Sequence, residues 1–350
     1  VRADDSAADG EAQTLDEYRR KYSLYHSDAN LREVRRNFAL VGEWDDHEVE
    51  DNYAGDEPGG ATKDRRIPFA DRRANGYRAW FEHMPRRLQT APLKIYGSLP
   101  LGNAELFTLD TRQYRDDQPC NPSDAALSQP CPPTTTDDPS RTLMGATQKQ
   151  WLKDALRSSK ARWKVIANQV MICSLDAPPR NPLNTDSWDG YGAERQELID
   201  YIGSAPIDDV TFITGDIHTY FAGNVTRTGR QATRGGGADP LNGPARATEF
   251  VGSAVTSPGI VDREASDETR RVALATAADA AVLADNPQLV FSNQAYKGYA
   301  ILEASSDALA VRYRAVHEQR DAGSGVFTLR SFRVDAGRPA IIDEGGPQPA

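Results

Sequence analysis

Four apolar runs in this chain each stop at a cluster of acidic, imidazole, amide or guanidinium side chains. Residues 38–42 run into Trp44-Asp-Asp-His-Glu48, and residues 104–109 run into Asp110-Thr-Arg-Gln-Tyr-Arg115. Within residues 163–173 the apolar pattern is broken by Asn168-Gln169, and residues 210–214 deliver Gly215-Asp-Ile-His218. Short apolar runs bounded in this way read as buried strands. Open α/β sheets bind ligands beyond the carboxyl ends of their strands. The recurrence therefore predicts an α/β fold whose four polar clusters converge on one site.

The stretches between these runs carry helical spacing. Thr14-Leu-Asp-Glu17 is a capping-box pattern ahead of Tyr18, Tyr22 and Tyr25, so a helix starts there. Further helices are predicted at 30–37, 72–84, 147–158, 193–203 and 263–284, and strands at 94–99, 219–226 and 249–255. The chain closes on a meander at 298–303, 308–316 and 326–334. Residues 50–70, 116–141, 174–191 and 231–246 read as loops, and no repeat period is present. Arg234-Gly-Gly-Gly237 lacks the Lys-Ser/Thr of a phosphate-binding P-loop, so it is read as a flexible loop.

At 350 residues the chain has room for one large domain or two small ones. Its hydrophobic fraction of 39% supports a sizeable core. No run approaches the ~18 apolar residues of a membrane span. The net charge of −10 gives no general attraction for nucleic acid or an anionic membrane, so a phosphate-bearing substrate must be held by a local cation, from Arg or metal. Arg outnumbers Lys by 33 to 8, a skew that GC-rich codon usage explains as readily as function. Cys120 and Cys131 bracket a Pro/Thr/Asp-rich stretch where a disulfide would staple a loop, implying an oxidising compartment; two thiols in a cytosolic loop is the other reading. Cys173 reads as a buried strand thiol.

Asp and His on adjacent positions offer oxygen and imidazole donors to hard or borderline cations. In Asp216-x-His218 both side chains share a face if the backbone is extended. Each cluster also has an ordinary reading taken singly. Asp45-Asp46 can cap a helix, Asp216 can cap the next element, His218 can pack in the core, Asn168-Gln169 can satisfy a turn, and Arg112 can pair with Asp110. Recurrence at strand ends is what favours a site.

Taken in order, Trp44-Asp-Asp-His-Glu-Val49, Arg72-Arg-Ala-Asn75, Trp80-Phe-Glu-His-Met-Pro85, Leu109-Asp-Thr-Arg-Gln-Tyr-Arg115, Gly145-x-x-Gln148-x-x-Trp151, Asp186-Ser-Trp-Asp-Gly-Tyr191 and Thr214-Gly-Asp-Ile-His218 resemble the alkaline phosphatase D (PhoD-like) family. Glu249-Phe-Val-Gly-Ser253 extends the match, which covers roughly residues 14–335. The resemblance implies a calcineurin-like metallophosphatase αββα sandwich, two mixed sheets flanked by helices, with metals at the strand ends. It implies hydrolysis of phosphomonoesters and phosphodiesters; some actinomycete relatives act as a metal-dependent phospholipase D. Strict phosphomonoesterase activity, and a non-catalytic binding protein on a decayed site, are the alternatives. Iron and calcium, or other divalent ions such as zinc or manganese, are the implied cofactors, at least two ions in all.

By the same resemblance Asp46 is a metal ligand and His47 the histidine that protonates the leaving oxygen. Asp216 and His218 are metal ligands, Asn168 is a further ligand candidate, and Arg112 or Arg115 stabilises charge on the phosphoryl oxygens. The family is typically exported, so a secreted protein is expected. Its earlier metal motifs, with Asp and Tyr ligands, lie upstream of the position matched by Val1. The expectation is therefore that residues 1–350 form the C-terminal part of a single catalytic domain, incomplete without the upstream segment. An N-terminal fragment of the same precursor is the expected partner, because two sheets lacking their first strands would expose an apolar edge.

Overall fold

The first helix begins where its cap predicts. Thr14 Oγ1 accepts the Glu17 N–H at 3.4 Å while the Glu17 carboxylate accepts the Thr14 N–H at 2.9 Å, opening α1 (Leu15–His26). Asp28 caps α2 (Ala29–Asn37), and α3 (Phe69–His83) follows Pro68. The computed structural model describes residues 11–59, 64–86, 93–120, 131–177, 182–204, 207–227, 244–265 and 267–346. The glycine-rich stretch at 234–237 lies outside them.

Strand β1 (Gly97–Leu101) forms a hairpin with β2 (Ala104–Thr108). From β2 the sheet continues in parallel through β3 (Trp163–Asn168), β4 (Val210–Thr214) and β6 (Ala247–Val251). It ends in antiparallel β5 (Tyr220–Val225) and β7 (Leu289–Asn293), in the order β1-β2-β3-β4-β6-β5-β7. A second, antiparallel sheet has the order β11-β10-β9-β8, built from β8 (Lys297–Ala304), β9 (Ala308–Val316), β10 (Val326–Asp335) and β11 (Ile341–Gly345).

Side-chain alternation decides how the sheets meet. Leu309, Val311, Tyr313 and Ala315 of β9 are buried and pack against Trp163, Tyr220 and Phe250 of the larger sheet. That sheet's other face is covered by α4 (Gly145–Ser158) and α5 (Gly192–Ser204), whose Leu152, Leu156, Leu198 and Ile202 pack on Phe107, Ile166 and Phe212. A third core joins Trp44, Val49 and Tyr53 to Tyr77, Trp80 and Phe81 of α3. Helix α6 (Glu268–Asp285) packs through Ala275 near Val261 and Ala295.

Several expectations are corrected. Residues 38–42 pair with no described strand: Phe38 is 70% exposed, and Leu40 and Val41 are exposed as well. Strand β3 stops at Asn168; the apolar residues from Val170 to Cys173 are buried in the loop that follows, not in the sheet. Helix α6 begins at Glu268, after a 3₁₀ turn at Val261–Arg263. Strands β7 and β11 had no separate signal among the loops and meander around them. The Cys120–Cys131 disulfide is formed, and Cys173 is a buried free thiol.

Glu249 ties the loop after β3 to the sheet. Fully buried on β6, it accepts the Ile172 and Cys173 N–H groups at 2.9 and 2.7 Å and the Thr214 hydroxyl at 2.7 Å. Glu249→Leu strands these donors, each at a cost of about 1–3 kcal/mol. The expected outcome is a lower urea midpoint at unchanged slope, worth about 3 kcal/mol or more; a midpoint equal to wild type would refute this role.

Candidate metal centre

The acidic cluster is built on a rigid aromatic seat. Trp44 stacks on Tyr77 with ring centroids 4.1 Å apart and meets Trp80 edge-on at 5.1 Å. Its indole N–H donates to Asp110 Oδ1 at 3.1 Å, so the strand end after β2 anchors the loop carrying the acids. Asp46–Glu48 is then one 3₁₀ turn, and Glu48 accepts the Asp45 N–H at 2.8 Å. Asp46 accepts the N–H groups of His47 at 2.7 Å and Asn52 at 3.0 Å.

Asp216 arrives from the end of β4. Carboxylate oxygens of Asp45, Asp46 and Asp216 lie within 4.8 Å of one another, and Asp46 also groups in this way with His47 and Asp51. Two of the predicted strand-end clusters do converge. The extended backbone expected at Asp216-x-His218 is absent: φ is +67° at Asp216 and +56° at His218, both left-handed. His218 joins neither acidic group; its Nδ1 lies 2.9 Å from the Pro258 carbonyl oxygen.

Burial drives the electrostatics. It raises the Asp216 carboxyl well above the usual range, and the charges of Asp45, Asp186 and Asp46 add to it. Asp45 is pushed up to about 6 by burial, with Arg112 opposing. Burial also works against the Asp46 charge, but Arg112, His47 and the two N–H donors outweigh it and hold the group below its usual value. The Asp46 carboxylate, followed by Asp51 and Asp45, raises His47 against burial. Glu48 is pushed up to about 7 by burial.

Arg112 supplies the opposing charge. Fully buried, it donates through Nε to Asp45 at 2.6 Å and through Nη1 and Nη2 to both oxygens of Asp186 at 2.8 and 2.6 Å. Arg115 donates to the Asp186 carbonyl at 2.7 Å and to the Tyr191 hydroxyl. Both guanidinium groups are buried among partners of this chain. The ordinary reading of Arg112 as a partner of Asp110 takes another form: Asp110 accepts the Arg112 backbone N–H at 3.1 Å. Asn168 is buried; its amide donates to the Val170 carbonyl, and its oxygen accepts the Trp188 indole N–H at 3.2 Å.

A groove of about 410 Å³ opens along the carboxyl ends of β2, β3 and β4, lined by Val41, Glu43, Asp45, Thr108, Asn168 and Asp216. On the other side of the 3₁₀ turn a cavity of about 480 Å³ is lined by Tyr18, Tyr22, Tyr25, Lys21, His47 and Asp51. Asp45, Asp51 and Asp186 were missed as site residues. The doubled Asp before His47 was the available signal for Asp45; nothing local marked Asp51, and Asp186 enters only through Arg112.

Oxygen-rich donor sets suit hard divalent cations, and three converging acids opposed by one enclosed guanidinium fit such an ion. The PhoD-like phosphatase family model matches residues 1–313. Alkaline phosphatase D of Bacillus subtilis (strain 168) is 34% identical over 340 residues, covering 95% of this chain and 53% of that protein. The chain thus spans about half the length of this curated relative. A solved structure of PhoD superposes with a TM-score of 0.80 at 31% identity, over 97% of this chain and 61% of that one. The two-sheet architecture is that of the calcineurin-like phosphatases, as the sequence resemblance implied. On the family model, the curated relative and the solved fold together, this chain belongs to the PhoD-like phosphatase family.

Proposed function

We propose that this chain carries the greater part of a metal-dependent phosphoester hydrolase acting on phosphodiesters, phospholipids among them, and on phosphomonoesters. The observation that carries the reading is the convergence of Asp45 and Asp46, at the 3₁₀ turn, with Asp216, after the end of β4, within 4.8 Å. Asp46 and Asp216, with Asp45 between them, would hold divalent ions, iron and calcium or zinc or manganese; His218 and Asn168 are the further proposed ligands. Such ions supply Lewis acidity and a nucleophilic water at neutral pH.

The chain's own residues do the rest. His47, with its Nε2 3.4 Å from Asp51, is placed to hand a proton to the leaving oxygen. Arg112 orients Asp45 and limits the repulsion among the acids. His218→Ala and Asp216→Ala are expected to lose bound metal and activity together. His47→Ala is expected to keep its metal and lose ~10²–10⁴ in rate. Metal analysis beside turnover checks this; loss of metal in His47→Ala would make His47 a ligand.

Two features support diesters. The described residues lining the groove include no Lys or Arg to grip a third phosphoryl oxygen, and the tyrosine-lined cavity beside His47 offers room for an organic leaving group. Comparing p-nitrophenyl phosphate, bis-p-nitrophenyl phosphate and phosphatidylcholine tests the reading. Cleavage of all three is expected, and cleavage of the monoester alone would make the protein a strict phosphomonoesterase.

The exposed Phe38, Leu40 and Val41, the last of which lines the groove, with the greater length of the curated relative, support an N-terminal fragment of the same precursor as partner. The single catalytic domain expected over 1–350 is proposed to be completed by that fragment. Native mass spectrometry is expected to show a second polypeptide; catalytic activity at the mass of this chain alone would refute it. No described helix is long and apolar enough to cross a membrane. The Cys120–Cys131 disulfide supports export to an oxidising compartment.

A further inference from the structure

A buried ion pair lies one loop away from His218 and touches neither acidic group of the site. Lys297, the first residue of β8, has its Nζ 2.8 Å from Asp262 Oδ2, with the two side chains only 1% and 3% exposed. Arg271 Nε stands 3.7 Å from the other Asp262 oxygen. Replacing such a pair by apolar side chains is often neutral or stabilising, so burial of the charges is not explained by stability alone.

The geometry around the pair points to His218. Asp262 Oδ2 also accepts the Gly259 N–H at 2.7 Å, fixing the peptide that follows Pro258. The Pro258 carbonyl is the group 2.9 Å from His218 Nδ1. The other end of the loop is fastened as well: the Gly298 N–H donates to the Ala254 carbonyl at 3.0 Å, and the Ser253 hydroxyl lies 3.1 Å from the His218 carbonyl oxygen. Contact is close enough that a Cβ at Gly259 would come within 2.9 Å of Lys297 Nζ and 3.0 Å of the His218 carbonyl oxygen.

We propose that Lys297 and Asp262 are positioning residues for His218: they hold the Pro258 carbonyl where it accepts the Nδ1 proton, so that Nε2 keeps its lone pair for a cation. A carbonyl has no proton to give, so a hydrogen bond at this distance puts the proton on Nδ1. A backbone carbonyl behind a ligating histidine sets both tautomer and ring direction. The charged pair suits this task because one carboxylate oxygen is held against the ammonium while it accepts the Gly259 N–H, and so defines the loop. An apolar pair would fill the space without aiming the peptide. The inference rests on the proposed role of His218 as a metal ligand, and it adds residues from β8 and the 3₁₀ turn to the site.

Long-range ¹H–¹⁵N correlation of the metal-free chain reads the tautomer of His218, whose signals are identified by their absence in His218→Gln. Affinity is read from the electron paramagnetic resonance signal of free Mn²⁺. Wild type is expected to hold the Nδ1–H form. The double variant Asp262→Leu/Lys297→Met removes both charges together, so neither is left buried alone. It is expected to lose the tautomer preference and about 10–100-fold in Mn²⁺ affinity. An Nε2–H tautomer in wild type overturns the proposal, and that measurement stands whether or not the double variant folds. A folded double variant with wild-type tautomer and affinity overturns it as well. The His218→Gln control separates the readings: unchanged Mn²⁺ binding there overturns the ligand assignment on which the inference rests. Loss there with no change in the double variant overturns the positioning role alone.

Discussion

The guanidinium of Arg112 is the constraint on which the site depends. Asp45 and Asp46 of the 3₁₀ turn, Asp216 after β4 and Asp186 are drawn close together, and Coulomb repulsion among them would spread the loops apart. Arg112 answers this by planar geometry as much as by charge. Its Nε holds Asp45 while its paired terminal nitrogens hold Asp186, so one rigid fork fixes the separation of two loops. A lysine would bring the charge without the fork. Removing one partner of a buried pair costs about 3–5 kcal/mol, which makes the network more costly to break than an exposed bridge. Trp44 completes the arrangement from below, since its indole bond to Asp110 registers the acidic turn on the strand that delivers Arg112.

Much of this was legible before the fold was known, because periodicity and punctuation are local. The capping box at Thr14, the helical spacing of Tyr77, Trp80 and Phe81, and the strand ending at Thr214 all report interactions within a few residues. Strand-end polarity also located Asp216, which the fold brings beside Asp46, although no described strand precedes Asp46. What was not legible is long-range. Whether Arg112 faces a substrate or an aspartate depends on Asp186, far away in sequence. Residues 38–42 look like any buried strand by composition, yet burial requires a neighbour, and no described strand supplies one. The extended reading of Asp216 and His218 failed for a related reason: their conformation is imposed by contacts from other elements rather than by intrinsic preference.

That imposed conformation carries an energy. A non-glycine residue in the left-handed region costs of order 1–3 kcal/mol and persists where its surroundings over-determine it. Here they do. The Thr214 carbonyl accepts the Gly252 N–H at 2.8 Å, the Gln169 carbonyl accepts the Gly215 N–H at 3.3 Å, and the Thr214 hydroxyl is held by Glu249. The turn is gripped from β6 and from the loop after β3 before His218 is reached. Strain of this kind is found where a side chain must be aimed, and Asp216 is aimed at Asp45 and Asp46.

Asp46 is the common member of both groups of potential ligands, and its position gives the site a direction. On one side stand Asp45 and Asp216 with the groove along the strand ends; on the other stand His47 and Asp51 with the tyrosine-lined cavity. Cations and the acids that hold them belong on the first side, where desolvation raises the cost of leaving carboxylates uncompensated. A proton donor belongs on the second, where the exposed His47 imidazole meets Asp51 beside Asp46. Under the proposed reaction, the phosphoryl group sits between the two and its departing oxygen leaves toward His47. The substituent on that oxygen then occupies a cavity walled by Tyr18, Tyr22 and Tyr25, which come from α1 and not from the sheet. On this proposal substrate choice is separated from the acids: the end of β4 and the turn after Trp44 bring them together, while the first helix shapes the space for the leaving group.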